Sequence, residues 1–185
     1  MGKSTTARLF ADEGCAIWDA DAAVHRLYSK GGSAVEPLSA DFPDTIVEGA
    51  VCREHLREII SKNADTLRRI ESIVHPLVAA DRKEFLNETD AEITVLDIPL
   101  LFETGSDAQM DATVCVTAPP EIQKERVMAR GKMTEAQFNA IRAKQMPDEE
   151  KRAKADFVIV ADTLEHAREQ VQDVLKQIRD RLSNA

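Results

Sequence analysis

Four short apolar runs, each built around β-branched or bulky residues, restrict this chain to a narrow set of folds. They are Ala16-Ile17-Trp18, Ile93-Thr94-Val95-Leu96, Thr113-Val114-Cys115-Val116 and Phe157-Val158-Ile159-Val160. None alternates apolar with polar residues, so each suits a strand covered on both faces of a parallel sheet. The first three end in polar, proline or alanine-rich residues and then pass into a helical pattern. That is the βαβ rhythm of a doubly wound α/β fold. At 185 residues, the length suits one domain with a subdomain inserted in it. Such a chain buries roughly 70% of its unfolded surface and needs no disulfide or metal staple.

The helical patterns are uneven. Leu164, Ala167, Val171, Val174, Leu175, Ile178 and Leu182 make one stripe of a C-terminal helix, with Thr163 placed to cap it. Pro119-Pro120-Glu121 opens another helix, and Thr134 with Gln137 has capping-box spacing for a third. Between the first and second apolar runs lies a long block of helical pattern without any strand. Leu56, Ile59 and Ile60 form one stripe there. Leu67, Ile70, Val74, Leu77 and Val78 form another, interrupted at His75-Pro76. The block is too long for a simple crossover and reads as a helical insertion.

Charge and cysteine usage remove several function classes. Twenty-four Lys and Arg face 33 Asp and Glu, a formal charge of −9. A general binder of nucleic acid or of an anionic membrane surface needs a basic surface, so neither is expected. No apolar run approaches the length of a membrane span, and the polar start has no signal-peptide pattern. Cys15, Cys52 and Cys115 are widely spaced, and His25, His55, His75 and His166 do not cluster with them. That argues against a disulfide framework or a zinc site and for a cytoplasmic protein.

Four features carry chemistry. Gly2-Lys3-Ser4-Thr5, running into a helical segment, is the second half of a P-loop. In a P-loop, backbone amides and the helix N-terminus cradle phosphate oxygens, lysine neutralises charge and the Ser hydroxyl ligates Mg²⁺. Taken alone, the tetrapeptide is equally explained as a capped surface helix. The preceding strand and first loop glycine are not in the sequence. The expectation is that the polypeptide begins upstream or lacks part of the cradle, and that the chain as written is poorly active and less stable than an extended version.

Asp19-Ala20-Asp21 follows the first strand, where open α/β sheets bind ligands. An N-cap explains one of these acids but not both. Asp97 stands in a Walker B-like place after the second strand, ahead of Pro99-Leu100-Leu101-Phe102-Glu103. Those apolar residues would either wall a substrate's apolar part or cover the sheet. Residues 124–154 hold nine bases against five acids, a net +4 within an acidic chain. Arg126 and Arg130 are four apart, so one helix face presents both, as a lid over transferring phosphates would require. Lys124, Lys132 and Lys151 read as a solvated face. His25 lies a turn beyond Asp21, and His75 marks a helix break in the inserted block.

In this order, G-K-S-T, D-A-D-x-x-x-H, H-P-L, D-x-P-L-L-F-E, an arginine-rich lid, Q-M-P and A-D-F-V-I resemble dephospho-CoA kinase over essentially the whole chain. The resemblance implies a P-loop kinase fold with a parallel sheet flanked by helices. Its nucleotide-binding core would be residues 1–28, 91–123 and 151–185, its helical CoA-binding insertion 29–90 and its lid 124–150. The implied reaction moves the γ-phosphoryl of ATP to the 3′-hydroxyl of dephospho-CoA. Gly2, Lys3, Ser4 and Thr5 would bind ATP, with Ser4 on Mg²⁺. Lys3, Asp19, Arg126 and Arg130 would be catalytic. Asp21, His25, His75, Asp97, Leu100, Leu101, Glu103 and Arg142 would face the acceptor. The family carries Ile-Asp-Asn-like residues after the last strand, where this chain reads Val160-Ala161-Asp162, a departure at the adenine-side contacts. Another small-metabolite or nucleoside monophosphate kinase, or a non-catalytic CoA- or nucleotide-binding remnant, stays open on sequence alone. A monomer or weak oligomer is expected.

Overall fold

The computed structural model describes residues 2–129 and 145–184, with the side chains of Ala64, Pro120, Lys124, Arg126 and Val127 excepted. In chain order the elements are α1 (Lys3–Asp12), β1 (Ala16–Asp19), α2 (Ala20–Tyr28), α3 (Val35–Asp41), β2 (Ile46–Val47), β3 (Ala50–Val51), α4 (Arg53–Lys62), α5 (Ala64–Glu88), β4 (Thr94–Asp97), β5 (Val114–Thr117), α6 (Pro120–Ala129), α7 (Asp148–Lys154), β6 (Phe157–Val160) and α8 (Leu164–Ser183). All four expected strands are present, two of them displaced by one residue. None carries a fully exposed residue. The chain divides into two compact units, residues 1–17 with 99–185, and residues 18–98.

In the first unit β5 and β6 run parallel, in a register that pairs Val114 with Phe157 and Thr117 with Val160. Two side chains fix that register from opposite ends. At the start, Asp156 Oδ2 accepts from both the amide and the hydroxyl of Thr113, each at 2.8 Å. These bonds hold the Asp156 carboxyl below its ordinary range, against a smaller opposing effect of burial. At the finish, Gln170 of α8 brackets Val160: its Oε1 accepts from the Val160 amide at 2.9 Å and its Nε2 donates to the Val160 carbonyl at 3.1 Å. The α8 stripe buries Ala167, Val171, Val174 and Leu175, while Leu164 and Leu182 at its ends are half-exposed. Thr163 caps the helix, accepting from the His166 amide at 3.2 Å. On its outer face α8 meets α1 through Arg168 with Asp12 and Gln172 with Glu13.

The second unit has its own core of Leu27, Ala34, Leu38, Val51, Leu56, Ile70 and Val74, drawn from α2 to α5 and the β2–β3 hairpin. β1, whose last two residues belong to this unit, neighbours β4. Two sequence expectations are corrected here. The block between the first two apolar runs contains a strand pair after all: β2 and β3 are antiparallel, Ile46 opposite Val51. They escape periodicity because each spans two residues. The signal was instead in the turn, where Glu48 and Gly49 both have positive φ, 51° and 82°. Consecutive positive φ values suit a tight primed hairpin turn, a conformation for which glycine carries no steric cost.

The second correction concerns Pro76, which does not interrupt its helix: α5 runs through it from Ala64 to Glu88. Proline removes one helical hydrogen bond and crowds the preceding turn. Here Pro76 is exposed, on the side of the helix away from the core. Ile70 and Val74 before it and Leu77 and Val78 after it pack on one core and outweigh the local loss.

Replacing Asp156 by Ala strands the two donors of Thr113, which is 7% exposed. The expected loss is about 1–3 kcal/mol of folding stability. Urea unfolding checks it, with the midpoint falling and the slope unchanged.

Candidate active site

The first unit presents a phosphate-type site at the start of α1. Gly2 occupies the N-cap without a side-chain cap, and the first intrahelical bond runs from the Thr6 amide to the Gly2 carbonyl at 2.8 Å. The amides of Lys3, Ser4 and Thr5 therefore have no acceptor within the helix, and the helix dipole places partial positive charge on them. Ser4 and Thr5 are exposed and Lys3 is half-buried.

Close packing decides where this helix end lies. A Cβ on Gly2 would stand 2.6 Å from the Cβ of Ala161 and 3.8 Å from Cγ1 of Val116. The start of α1 is thus pressed against β5 and the first residue after β6, at the carboxyl ends of parallel strands. There a helix N-terminus takes an anion in folds of this kind. Beneath it the Thr6 hydroxyl, 2% exposed, has no hydrogen-bond partner among the described residues.

The same unit holds the D-x-P-L-L-F-E tail and the basic segment. Leu100 is 42% exposed, and Leu101 and Phe102 are half-buried. The Thr104 hydroxyl donates to the carbonyls of Leu100 and Leu101, holding them in a tight turn. Glu103, expected to face the acceptor, is engaged within the protein: its Oε1 accepts from Lys151 Nζ at 2.6 Å and from the Met146 amide at 3.1 Å. Burial pushes the Glu103 carboxyl up. The Lys151 ammonium and the backbone amides outweigh burial and hold it below the ordinary glutamate value.

Lys151 is correspondingly not part of a solvated face, with only 17% of its side chain exposed. A second polar tie joins the carboxyl end of β5 to α7, where the Thr117 hydroxyl meets both carboxylate oxygens of Asp148 at 2.9 and 2.8 Å. Arg126 lies on α6, its side chain outside the described atoms. Arg130, Arg142 and the Thr134–Gln137 capping pair lie outside the described residues.

The second unit carries the acids. Asp19 is the last residue of β1 and the N-cap of α2, and its Oδ1 accepts from the Ala22 amide at 2.8 Å. Capping thus uses one oxygen. The other, Oδ2, has no hydrogen-bond partner among the described residues. Asp21 and His25 follow on one exposed face of α2, four residues apart. Asp97 ends the neighbouring strand β4 and is 5% exposed. The two strand-end acids therefore close adjacent strands. His75 is exposed on α5.

Sequence reasoning passed over Asp81, also on α5. Its Oδ1 accepts from Trp18 Nε1 at 2.7 Å and Arg26 Nη2 at 2.6 Å, and its Oδ2 accepts from Arg26 Nε at 3.2 Å. The signal was available, because position 81 continues the apolar stripe of Val74, Leu77 and Val78. An acid on such a stripe needs an internal partner.

A family model described as dephospho-CoA kinase matches residues 1–166. A dephospho-CoA kinase of Ruegeria pomeroyi is 66% identical over 179 residues, covering 97% of this chain and 91% of that protein. One of Cereibacter sphaeroides is 54% identical over 180 residues, with 97% and 91% covered. The crystal structure of TT1252 from Thermus thermophilus superposes with a TM-score of 0.85 at 32% identity, covering 95% of this chain and 91% of that one. A dephospho-CoA kinase structure from Campylobacter jejuni, at a TM-score of 0.68 and 24% identity, shares the fold.

Two outcomes are expected. Gly2→Ala forces its new methyl into Ala161 and displaces the start of α1. Binding of an ATP analogue should weaken at least tenfold by calorimetry, while circular dichroism still shows a folded chain. Glu103→Gln removes the partner of a half-buried ammonium. Because the folded Glu103 pKa is lowered, its contribution is fully present above the ordinary glutamate value, about 4.3, and is lost as pH falls through the lowered folded value. Urea midpoints of wild type and variant should stay a constant distance apart from neutral pH to about pH 5 and converge in stronger acid.

Proposed function

Because the chain belongs to the dephospho-CoA kinase family, we propose that it transfers the γ-phosphoryl of ATP to the 3′-hydroxyl of dephospho-CoA in the cytoplasm. The observation that carries this reading is the start of α1. Three backbone amides without helical acceptors, two exposed hydroxyls and one lysine are gathered at the ends of parallel strands by the Gly2–Ala161 contact. Such a cluster is built for the phosphates of a nucleotide.

Phosphoryl transfer has a loose transition state with charge spread over its oxygens, so positioning and charge neutralisation supply most of the rate. In this reading the amides of Lys3, Ser4 and Thr5 hold phosphate oxygens, and the Lys3 ammonium neutralises charge on the transferring group. Arg126, Arg130 and Arg142 are proposed to add positive charge from the basic segment. Asp19 Oδ2 accepts the hydrogen bond of the acceptor hydroxyl and holds it for attack, while Oδ1 stays on the Ala22 amide and fixes the carboxylate plane. Asp21, His25, His75, Asp97, Leu100 and Leu101 are proposed to contact the acceptor. Glu103 is proposed to serve it through the turn that it anchors.

The donor set fits magnesium carried by the nucleotide. Among the described residues no group of three or more His, Cys, Asp or Glu side chains forms a metal cage, and Ser4 offers a hard oxygen at the phosphate site. That matches a cation that keeps its waters and is held by phosphates plus one or two protein oxygens. When bound, it supplies charge neutralisation between the β- and γ-phosphates. Residues 29–90 are proposed as the acceptor-binding insertion and 124–150 as the lid, around a core of 1–28, 91–123 and 151–185.

Release of ADP measured with dephospho-CoA and with a panel of nucleoside monophosphates tests the reading. Turnover should depend on dephospho-CoA; turnover with a nucleoside monophosphate alone would reassign the acceptor. Asp19→Asn keeps the shape and the N-cap. Its kcat should fall about 10²–10⁴-fold, the usual loss for a group that acts on the transferred proton, with the KM for ATP unchanged.

A further inference from the structure

We propose that Asp81 is a positioning residue for phosphoryl transfer, holding Asp19 in place through Trp18 on one side and Arg26 on the other; this rests on the reading of Asp19 given above. Asp19 sits at a joint, where β1 ends and α2 begins. The residue immediately before the joint is Trp18, 3% exposed, whose indole N–H donates to Asp81 Oδ1 at 2.7 Å. Beyond it, Arg26 in the last turn of α2 grips the same carboxylate with Nη2 at 2.6 Å and Nε at 3.2 Å. One carboxylate on α5 thus takes three donors from the two elements that meet at Asp19. It fixes the strand end and the helix axis together.

The geometry explains why an acid is needed at that position. A neutral amide can still accept from Trp18 but cannot take both nitrogens of a guanidinium in the same way. Asp81 is mostly covered, with 17% of its side chain exposed. Burial pushes its carboxyl up, yet the bonds from Arg26 and Trp18 outweigh that and hold it below the ordinary aspartate value. The ion pair is therefore kept at neutral pH. An acceptor hydroxyl in line with a phosphoryl group tolerates little error, since a shift of about 1 Å costs on the order of 10²-fold in rate.

A double-mutant cycle with Asp19 tests the proposal. Asp81→Asn alone should lower kcat about 10- to 100-fold, within that misplacement range, and leave the KM for ATP within about twofold. In an Asp19→Asn background the same change should have no further effect, because its route of action is already gone. Arg26→Met, which leaves the indole bond intact, should give an intermediate loss. It also keeps the test open if Asp81→Asn fails to fold.

Trp18 is the chain's single tryptophan, so its emission reports the bond directly and should shift in Asp81→Asn and much less in Arg26→Met. Unchanged kcat in both single variants overturns the proposal. So does a loss that multiplies with that of Asp19→Asn, which would mark Asp81 as merely structural. Wild-type turnover in Asp19→Asn alone would instead sink the role of Asp19, and with it the ground for a positioning residue.

Discussion

The missing side chain of Gly2 sets the geometry of the proposed phosphate site. Because nothing projects from that Cα, the backbone can lie where a Cβ would stand 2.6 Å from the Cβ of Ala161, and α1 starts where β5 and β6 finish. The donors that α1 would offer to phosphate follow from that approach. Ser4 and Thr5 are exposed because Thr6, Leu9 and Phe10 take the buried face. A helix beginning one turn later would still be amphipathic, yet its free amides would not lie at the strand ends. Packing and chemistry are here one constraint.

In the residue 18–98 unit the organising groups are carboxylates, each with more than one task. Asp19 caps α2 with one oxygen. Asp81 joins three elements through three donors. The first unit repeats the device with Asp156, which clamps the start of the β5–β6 pair, and with Glu103, which holds Lys151 and the Met146 amide. An acid partly removed from water is tolerated where several donors converge on it. These four acids therefore do structural work, and the partners of Asp81 and Glu103 lie far from them in the chain.

The sequence was most legible where one period dominates. The four strands, the α8 stripe with its Thr163 cap and the proline start of α6 follow from local chemistry that packing did not override. What escaped had competing signals. Pro76 announces a break, and only the shared core on both sides of it explains an unbroken α5. The β2–β3 pair is too short to show alternation. At the candidate site, strand-end position and motif spacing drew attention to Asp19, Asp97 and Gly2–Thr5. Glu103, Lys151 and Asp81 take their partners from 48, 48 and 55 to 63 residues away, and no local pattern encodes such a pairing. The acid on the apolar stripe at Asp81 was the one hint that tertiary structure had claimed it.

The side-chain amide of Gln170 has a consequence beyond its own strand. By offering one acceptor and one donor to Val160, it imitates the backbone of a further strand, where among the described residues β6 pairs with β5 alone. A bare strand margin is a template on which another polypeptide can add itself. Here the final rung is already occupied by a group that cannot propagate, so the ladder is closed to newcomers at that point, and the helix that seals it belongs to the same chain.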